Sequence, residues 1–172
     1  MTETIPYEET GHMGEVEFRK YPPLLLATVT GLPEDEAFMV LFRYISGNNR
    51  PGTKVPMTAP VITPEKIAMT APVISGTGGM SFVLPLSYSR DEVPEPADTR
   101  VSISEAPARE IAVIRFGGRA SPADVAAVRE RLLGALQEKG ITIAGEPFLM
   151  RYNAPFTPGF LRRNEVGVEI RR

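Results

Sequence analysis

The 172-residue sequence contains no cysteine and a single histidine, His12. The absence of cysteine excludes disulfide bonds, thiolate metal ligands and cysteine nucleophiles, and it fits the reducing cytoplasm. A catalytic triad would have to recruit His12, and no G-x-S-x-G segment is present to position a serine nucleophile. We therefore expect a cytoplasmic protein that lacks the usual structural zinc sites and does not act as a nucleophilic hydrolase.

Long apolar runs and an excess of one charge sign are also missing. The richest apolar run, Leu24–Val29, has the length of a strand and falls far short of the roughly 20 residues that span a bilayer. The 19 basic and 21 acidic residues give a net charge of -2, and neither sign forms a long block. We therefore expect a soluble chain with neither a nucleic-acid partner nor a membrane partner.

Two segments have the apolar spacing of one-faced helices. The first, residues 33–47, starts with three acidic residues and ends at Gly47; its predicted buried face is formed by Phe38, Leu41, Phe42 and Ile45. The second, residues 121–140, starts with Ser121 as a cap and Pro122 in the first turn, and ends at Gly140. Its predicted buried face is formed by Val125, Val128, Leu132 and Leu136.

The 17 prolines and 15 glycines separate short apolar runs that are typical of strands. One such run precedes each helix, at Leu24–Thr30 and Glu110–Phe116, and others follow at 57–62, 67–74, 81–86, 148–152 and 165–170. Alternating polarity in the last run predicts a half-buried strand with Glu165 and Glu169 on the solvent side. The pattern β-α-β-β therefore occurs twice, which predicts an α+β fold with two pseudo-symmetric repeats.

We expect one domain over residues 1–172, with the first repeat at about 15–86 and the second at about 99–172. Residues 1–14 are polar and acidic, and they are predicted to be a flexible lead-in. The segment MTAPVI occurs at 57–62 and again at 69–74, which favours a bulged hairpin because each internal proline removes a backbone donor.

The first helix is the candidate ligand-binding element. Its aromatic and methionine side chains offer a polarisable apolar surface for a flat ligand, and the basic groups beside and after it suit carboxylates. The candidate residues are Phe38, Met39, Phe42, Arg43, Tyr44, Arg50 and Lys54. The same residues are also compatible with an ordinary core helix followed by a solvated basic loop.

Four segments resemble the SOUL/haem-binding protein family: KVPMTAPVITPEKIAMTAPVI at 54–74, SFVLP at 81–85, REIAVIRFGG at 109–118 and RRNEVGVEI at 162–170. Their order and spacing match the family from about Val16 to the C-terminus. The resemblance implies a distorted eight-stranded antiparallel β-barrel flanked by two helices. It also implies binding of haem, and of other porphyrins, in an apolar groove near the first helix, where Arg43 matches a basic position of the family.

We therefore predict a monomer that binds a tetrapyrrole without catalysis, as a carrier or buffer. His12 precedes the matched region, so a bound iron would be held by Tyr44, by a methionine or by no side chain. Two alternatives remain open: a binding or regulatory domain for other apolar small molecules, and an enzyme acting on a tetrapyrrole with Glu165 or Tyr152 as proton carrier.

Overall fold

The computed structural model of the protein describes residues 3–50, 52, 54–64, 79–153 and 157–172. The chain forms two compact units, of which unit 1 comprises Met1–Ile5 and Pro23–Pro107 and unit 2 comprises Pro6–Pro22 and Ala108–Arg172. In chain order the elements are β1 (Glu3–Thr4), β2 (Glu8–Met13), β3 (Val16–Tyr21), β4 (Leu24–Thr30), α1 (Glu34–Ile45), β5 (Asn49–Arg50), β6 (Thr58–Ala59), β7 (Val61–Pro64), β8 (Gly79–Val83), β9 (Glu95–Pro96), β10 (Ser102–Ala106), β11 (Arg109–Phe116), α2 (Pro122–Glu138), β12 (Thr142–Ile143), β13 (Phe148–Arg151), a 3-10 turn (Gly159–Leu161) and β14 (Asn164–Arg171).

Unit 1 contains an antiparallel sheet with the strand order β10-β4-β8-β7. The register places Ala27 of β4 opposite Ile103 on one side and Phe82 on the other. Helix α1 packs on β4 and β8. Two short pairs complete the unit: β1 runs parallel to β6, and β5 runs antiparallel to β9.

Unit 2 contains an antiparallel sheet with the order β2-β3-β11-β14-β13, and β12 also pairs with β14. Helix α2 packs on β11 and β14, and its inner face meets a core that includes Val16, Ile114 and Val166.

The two units share one strand arrangement, because β10-β4-β8-β7 in unit 1 corresponds to β3-β11-β14-β13 in unit 2. The chain order β4-α1-β7-β8 likewise corresponds to β11-α2-β13-β14. The α+β class and the two pseudo-symmetric β-α-β-β repeats are therefore confirmed.

The second helix matches its prediction. Ser121 caps α2, its Oγ accepting the backbone N–H of Asp124 at 3.2 Å, and all four predicted apolar residues are buried. The first helix is rotated relative to its prediction: its buried residues are Ala37, Val40, Leu41, Tyr44 and Ile45. Within the described residues, neither helix is long and apolar enough to cross a membrane.

Two local predictions were wrong. Residues 8–13 of the predicted lead-in form β2, which pairs with β3 across a bulge near Gly11, because an edge strand needs backbone partners rather than apolar side chains. Strand β14 is buried on both faces from residue 164 to 168, so Glu165 lies inside the protein. The predicted strand at 67–74, with the second MTAPVI copy, lies outside the described residues.

Candidate functional site

Helix α1 carries three apolar side chains that are exposed or only half-buried. Met39 is 44% exposed and Phe42 is 45% exposed, while Phe38 is half-buried. The Phe38 and Phe42 rings stack with their centroids 6.1 Å apart, and Phe38 also meets the buried ring of Phe82 edge-on at 5.4 Å. We call this surface the α1 face. It is an apolar patch that is anchored to the core through Phe38.

Charged side chains border the α1 face near the C-terminal end of the helix. Arg43 lies in the last turn and is exposed. Arg100 donates to the Asp98 carboxylate at 2.7 Å and 3.0 Å, and this pairing, aided by the charge of Arg43, lowers the pKa of Asp98 to about 2. Sequence reasoning missed Asp98 and Arg100, because they lie more than 50 residues beyond the helix in the chain.

The remaining basic candidates follow α1 in the chain. Arg50 lies on β5, and Lys54 lies in the segment between β5 and β6; both side chains are exposed.

Tyr44 belongs to the opposite side of α1. Its side chain is fully buried, and its hydroxyl donates to the backbone oxygen of Pro94 at 2.7 Å. Burial, together with the nearby Tyr88, raises the pKa of Tyr44 to about 12. Tyr44 is therefore protonated at neutral pH and is not part of the α1 face.

The single histidine lies in unit 2. His12 is on β2 with an exposed side chain, and its Nε2 contacts the carboxylate of Glu9. Within the described part of the chain, no group of three or more histidine, aspartate or glutamate side chains is arranged to hold a metal ion.

A cleft of about 510 Å³ lies elsewhere in unit 1, between the start of β4, residues 88–90 and the end of β10. Most of its lining is apolar, including Leu24, Leu25 and Tyr88, and it also contains Arg90 and Glu105. Arg90 donates to the backbone oxygen of Ile103 at 3.0 Å. The cleft is a second surface that could accept a small apolar molecule.

Glu165 lies at the centre of a buried ion-pair network in unit 2. Both of its carboxylate oxygens accept hydrogen bonds from Arg19, at 2.6 Å and 2.8 Å, and both side chains are fully buried. Arg163 also donates to Glu165 at 3.0 Å, and Nε of Arg115 lies 3.5 Å from Oε2 of Glu165. Because Glu165 and Arg19 are separated by 146 residues, only the paired strands bring them together.

Aromatic rings and a second carboxylate complete the network. Arg19 donates to Glu17 at 2.9 Å and to the Tyr21 hydroxyl at 2.9 Å, and its guanidinium carbon lies 4.0 Å from the centre of the Tyr7 ring. The guanidinium carbon of Arg163 likewise lies over the Tyr152 ring, 4.2 Å from its centre.

The network fixes the protonation states of Glu165 and Tyr152. Burial alone would raise the pKa of Glu165, but the hydrogen bonds from Arg19 and the charge of Arg163 outweigh it and hold that pKa at about 2. Burial and the charge of Glu165 raise the pKa of Tyr152 above its ordinary value. Neither group therefore has a pKa near neutrality, where general acid–base catalysis is most efficient.

The comparison with known families agrees with this architecture. A sequence model described as SOUL heme-binding protein matches residues 2–169. The chain belongs to the SOUL heme-binding protein family. A relative, heme-binding protein 1 from Bos taurus, is 29% identical over 148 residues, which cover 80% of this chain and 73% of the relative. The resemblance drawn from the sequence segments is confirmed.

Solved structures share the fold of this SOUL-family chain at much lower identity. The EcmrR C-terminal domain is 8% identical with a TM-score of 0.65, and the match covers 96% of this chain and 98% of that one. An uncharacterized conserved protein from Listeria innocua is 8% identical with a TM-score of 0.67, covering 91% and 92%. A hydrolase from Listeria innocua is 8% identical with a TM-score of 0.61, also covering 91% and 92%. These likenesses show the fold alone.

Two of the segments that resemble the SOUL family contact each other in unit 2. The glycines of FGG follow β11, and RRNEV leads into β14, which pairs with β11. Asn164 donates through Nδ2 to the backbone oxygen of Gly118 at 2.8 Å, where Gly118 has φ 93°. Arg163 and Glu165 on either side of Asn164 belong to the ion-pair network. These segments therefore stabilise the scaffold of unit 2.

Proposed function

We propose that this SOUL-family chain binds haem or a related tetrapyrrole on the α1 face, as a carrier or buffer without catalysis. The observation that carries the proposal is the exposure of Met39 and Phe42, two large apolar side chains, beside the exposed Arg43. Contiguous exposed apolar surface is typical of a binding site. The name of the Bos taurus relative, heme-binding protein 1, points to the same ligand class.

The chemistry of the α1 face fits such a ligand. A tetrapyrrole is a flat apolar macrocycle with carboxylate side chains, and Phe38, Met39 and Phe42 would contact the ring. Arg43 would pair with a carboxylate, and Arg50 and Lys54 are further basic groups of the site. A bound haem would supply redox-active iron, for which the thioether of Met39 is a ligand type found in proteins.

Apolar burial and ion pairs would then provide most of the affinity, since the Tyr44 hydroxyl is buried and hydrogen-bonded. We therefore expect metal-free porphyrins to bind the α1 face as well. The non-catalytic role is supported by the ion-pair network, which keeps Glu165 ionised and Tyr152 protonated.

The test is a haemin titration of the purified chain, followed through the Soret band. Phe42 is 45% exposed, and a ligand on the α1 face would bury this exposed part of the ring. Phe42→Ser removes that apolar contact and should weaken binding roughly tenfold. Arg43→Gln should weaken it by a smaller factor, roughly threefold, as expected for an exposed ion pair. Ile143→Ser is the matched control, because Ile143 is 38% exposed and lies in unit 2. His12→Ala should leave the titration unchanged.

The outcome that contradicts the proposal is a saturable titration that Phe42→Ser and Arg43→Gln both leave unchanged. Absence of any saturable change would equally refute it.

The cleft supports a second candidate function, the binding of another apolar small molecule. In that case Arg90→Gln should weaken ligand-induced thermal stabilisation, while Phe42→Ser should not. A screen of apolar ligands by melting temperature with both variants separates the two surfaces.

A further inference from the structure

A 3-10 turn that precedes β14 in unit 2 carries two exposed apolar side chains. Phe160 is 85% exposed and Leu161 is 61% exposed, the largest exposures among the described large apolar side chains. Both residues belong to the 3-10 turn, Gly159–Leu161. We call this pair the Phe160–Leu161 tip. Adjacent aromatic and aliphatic side chains left in water are unfavourable unless another surface covers them.

The tip is held in place by the backbone around it. Leu161 N–H donates to the oxygen of Pro158 at 2.9 Å, and Gly118 N–H donates to the oxygen of Gly159 at 3.1 Å. The side chain of Arg119 packs over Gly159, where a Cβ atom would come within 3.1 Å of the Arg119 Cγ. A tip that is already ordered loses little conformational entropy when it is covered.

The chain around the tip is basic. Segments 115–119 and 157–163, which meet at the Gly118–Gly159 hydrogen bond, contain four arginines and no acidic residue. Arg119 is exposed, while Arg162 donates to the oxygen of Thr157 at 2.7 Å. Nearby, the three guanidinium groups of Arg115, Arg163 and the buried Arg19 share two carboxylates, those of Glu165 and Glu17, so positive charge still exceeds negative charge in this network. The partner that this surface favours is anionic.

We propose that the Phe160–Leu161 tip docks this protein on an anionic lipid surface, with the two apolar side chains entering the interface and the arginines facing lipid headgroups. Two exposed side chains cannot by themselves bury the roughly 800 Å² per partner that a stable protein interface needs. An apolar edge flanked by arginines is instead suited to the headgroup boundary, where apolar insertion and attraction to anionic lipid add together. Binding is weak and reversible, because only two side chains insert.

Sequence analysis predicted the opposite, no membrane partner, because the charges of the chain balance overall. The fold concentrates arginines from two distant segments beside two exposed apolar residues, and a charge count along the chain does not detect this.

The experiment is co-sedimentation of the full chain with vesicles of phosphatidylcholine alone, or containing phosphatidylserine at roughly one lipid in three. We expect binding to the anionic vesicles only, and less binding at high salt. The double variant Phe160→Ser/Leu161→Ser should lower the partition coefficient roughly tenfold or more. Arg119→Gln should lower it roughly fivefold. Because these side chains are exposed, the melting temperature should not change.

Phe42→Ser is the matched control, since it removes an exposed phenyl ring from unit 1. It should retain vesicle binding even where it weakens haem binding, so the two proposals can fail independently. Lack of binding by the unchanged protein to anionic vesicles would overturn the lipid proposal and leave the tip to a protein partner. Equal binding by the double variant would also overturn it.

Discussion

Replacing Glu165 by glutamine tests the buried ion-pair network most directly. Glu165→Gln keeps the side-chain shape but removes the buried carboxylate partner of Arg19, whose guanidinium then retains only the partly exposed Glu17 as an anionic partner. Breaking a buried pair in this way typically costs about 3–5 kcal/mol. The pKa of Glu165 gives a similar magnitude: it falls from an ordinary 4.5 to about 2 in the folded protein. This difference corresponds to about 3 kcal/mol of stability at neutral pH.

The pH dependence has a definite sign. Because the folded-state pKa of Glu165 lies below its unfolded value, the stabilisation is complete above about pH 5 and is lost as the pH falls towards 2. The stability difference between the unchanged protein and Glu165→Gln should therefore be large at pH 7 and should shrink at pH 3. Urea unfolding followed by circular dichroism at both pH values measures this difference.

A matched control is available on the same strand. Glu169 is partly exposed, and its carboxylate lies 3.8 Å from the guanidinium of Arg109. Glu169→Gln should therefore lower the free energy of unfolding by less than about 1 kcal/mol. A loss below about 1 kcal/mol for Glu165→Gln at pH 7, or a loss of the same size at pH 3, would refute the reasoning. A combined Arg19→Met/Glu165→Leu variant should be more stable than Glu165→Gln, since it removes both fully buried charges together and leaves only partly exposed ones.

Three further substitutions have defined expectations, each measured by urea unfolding at pH 7. Ser121→Ala removes the cap of α2 and should cost about 1 kcal/mol. Tyr44→Phe loses the hydrogen bond to Pro94 and should cost about 1–3 kcal/mol, while haemin binding should stay unchanged because Tyr44 is not part of the α1 face. Gly79→Ala would place a Cβ atom 2.9 Å from a backbone oxygen of β4 and should cost about 1–3 kcal/mol, whereas the control Gly134→Ala, with open space in α2, should gain about 0.5–1 kcal/mol.

The sequence predicted those elements in which local signals and tertiary packing agree. Helix α2 has a cap, an apolar stripe and a terminal glycine that all specify the same boundaries, and its four predicted core residues are buried. Helix α1 has more apolar residues than one face can bury. Spacing alone therefore did not reveal that Val40 and Tyr44 face the core while Phe42 faces solvent.

The position of Glu165 could not be deduced from its own segment for a different reason. Alternating polarity predicts that a charged residue in a strand faces water, because a buried charge without a partner is costly. Here the partner is Arg19 on β3. Strand β11 pairs with β3 on one side and with β14 on the other, so the charge of Glu165 is compensated by a residue far away in the sequence. Asp98 and Arg100 beside α1 were missed for the same reason: local patterns do not report long-range pairing.

Two of the segments that resemble the SOUL family, FGG and RRNEV, lie in unit 2, whereas the residues proposed to bind the ligand lie in unit 1. FGG and RRNEV contribute the Asn164 hydrogen bond and the Glu165 ion pairs, which stabilise unit 2. The proposed ligand contacts are side chains on the solvent side of α1 in unit 1, where Phe42 can be exchanged with little effect on the core. Ligand preference should therefore change with substitutions at Met39, Phe42 and Arg43 while stability stays nearly constant. Measuring porphyrin affinity and unfolding free energy on the same Phe42→Ser protein tests this separation: a large loss of stability would show that the α1 face is part of the core.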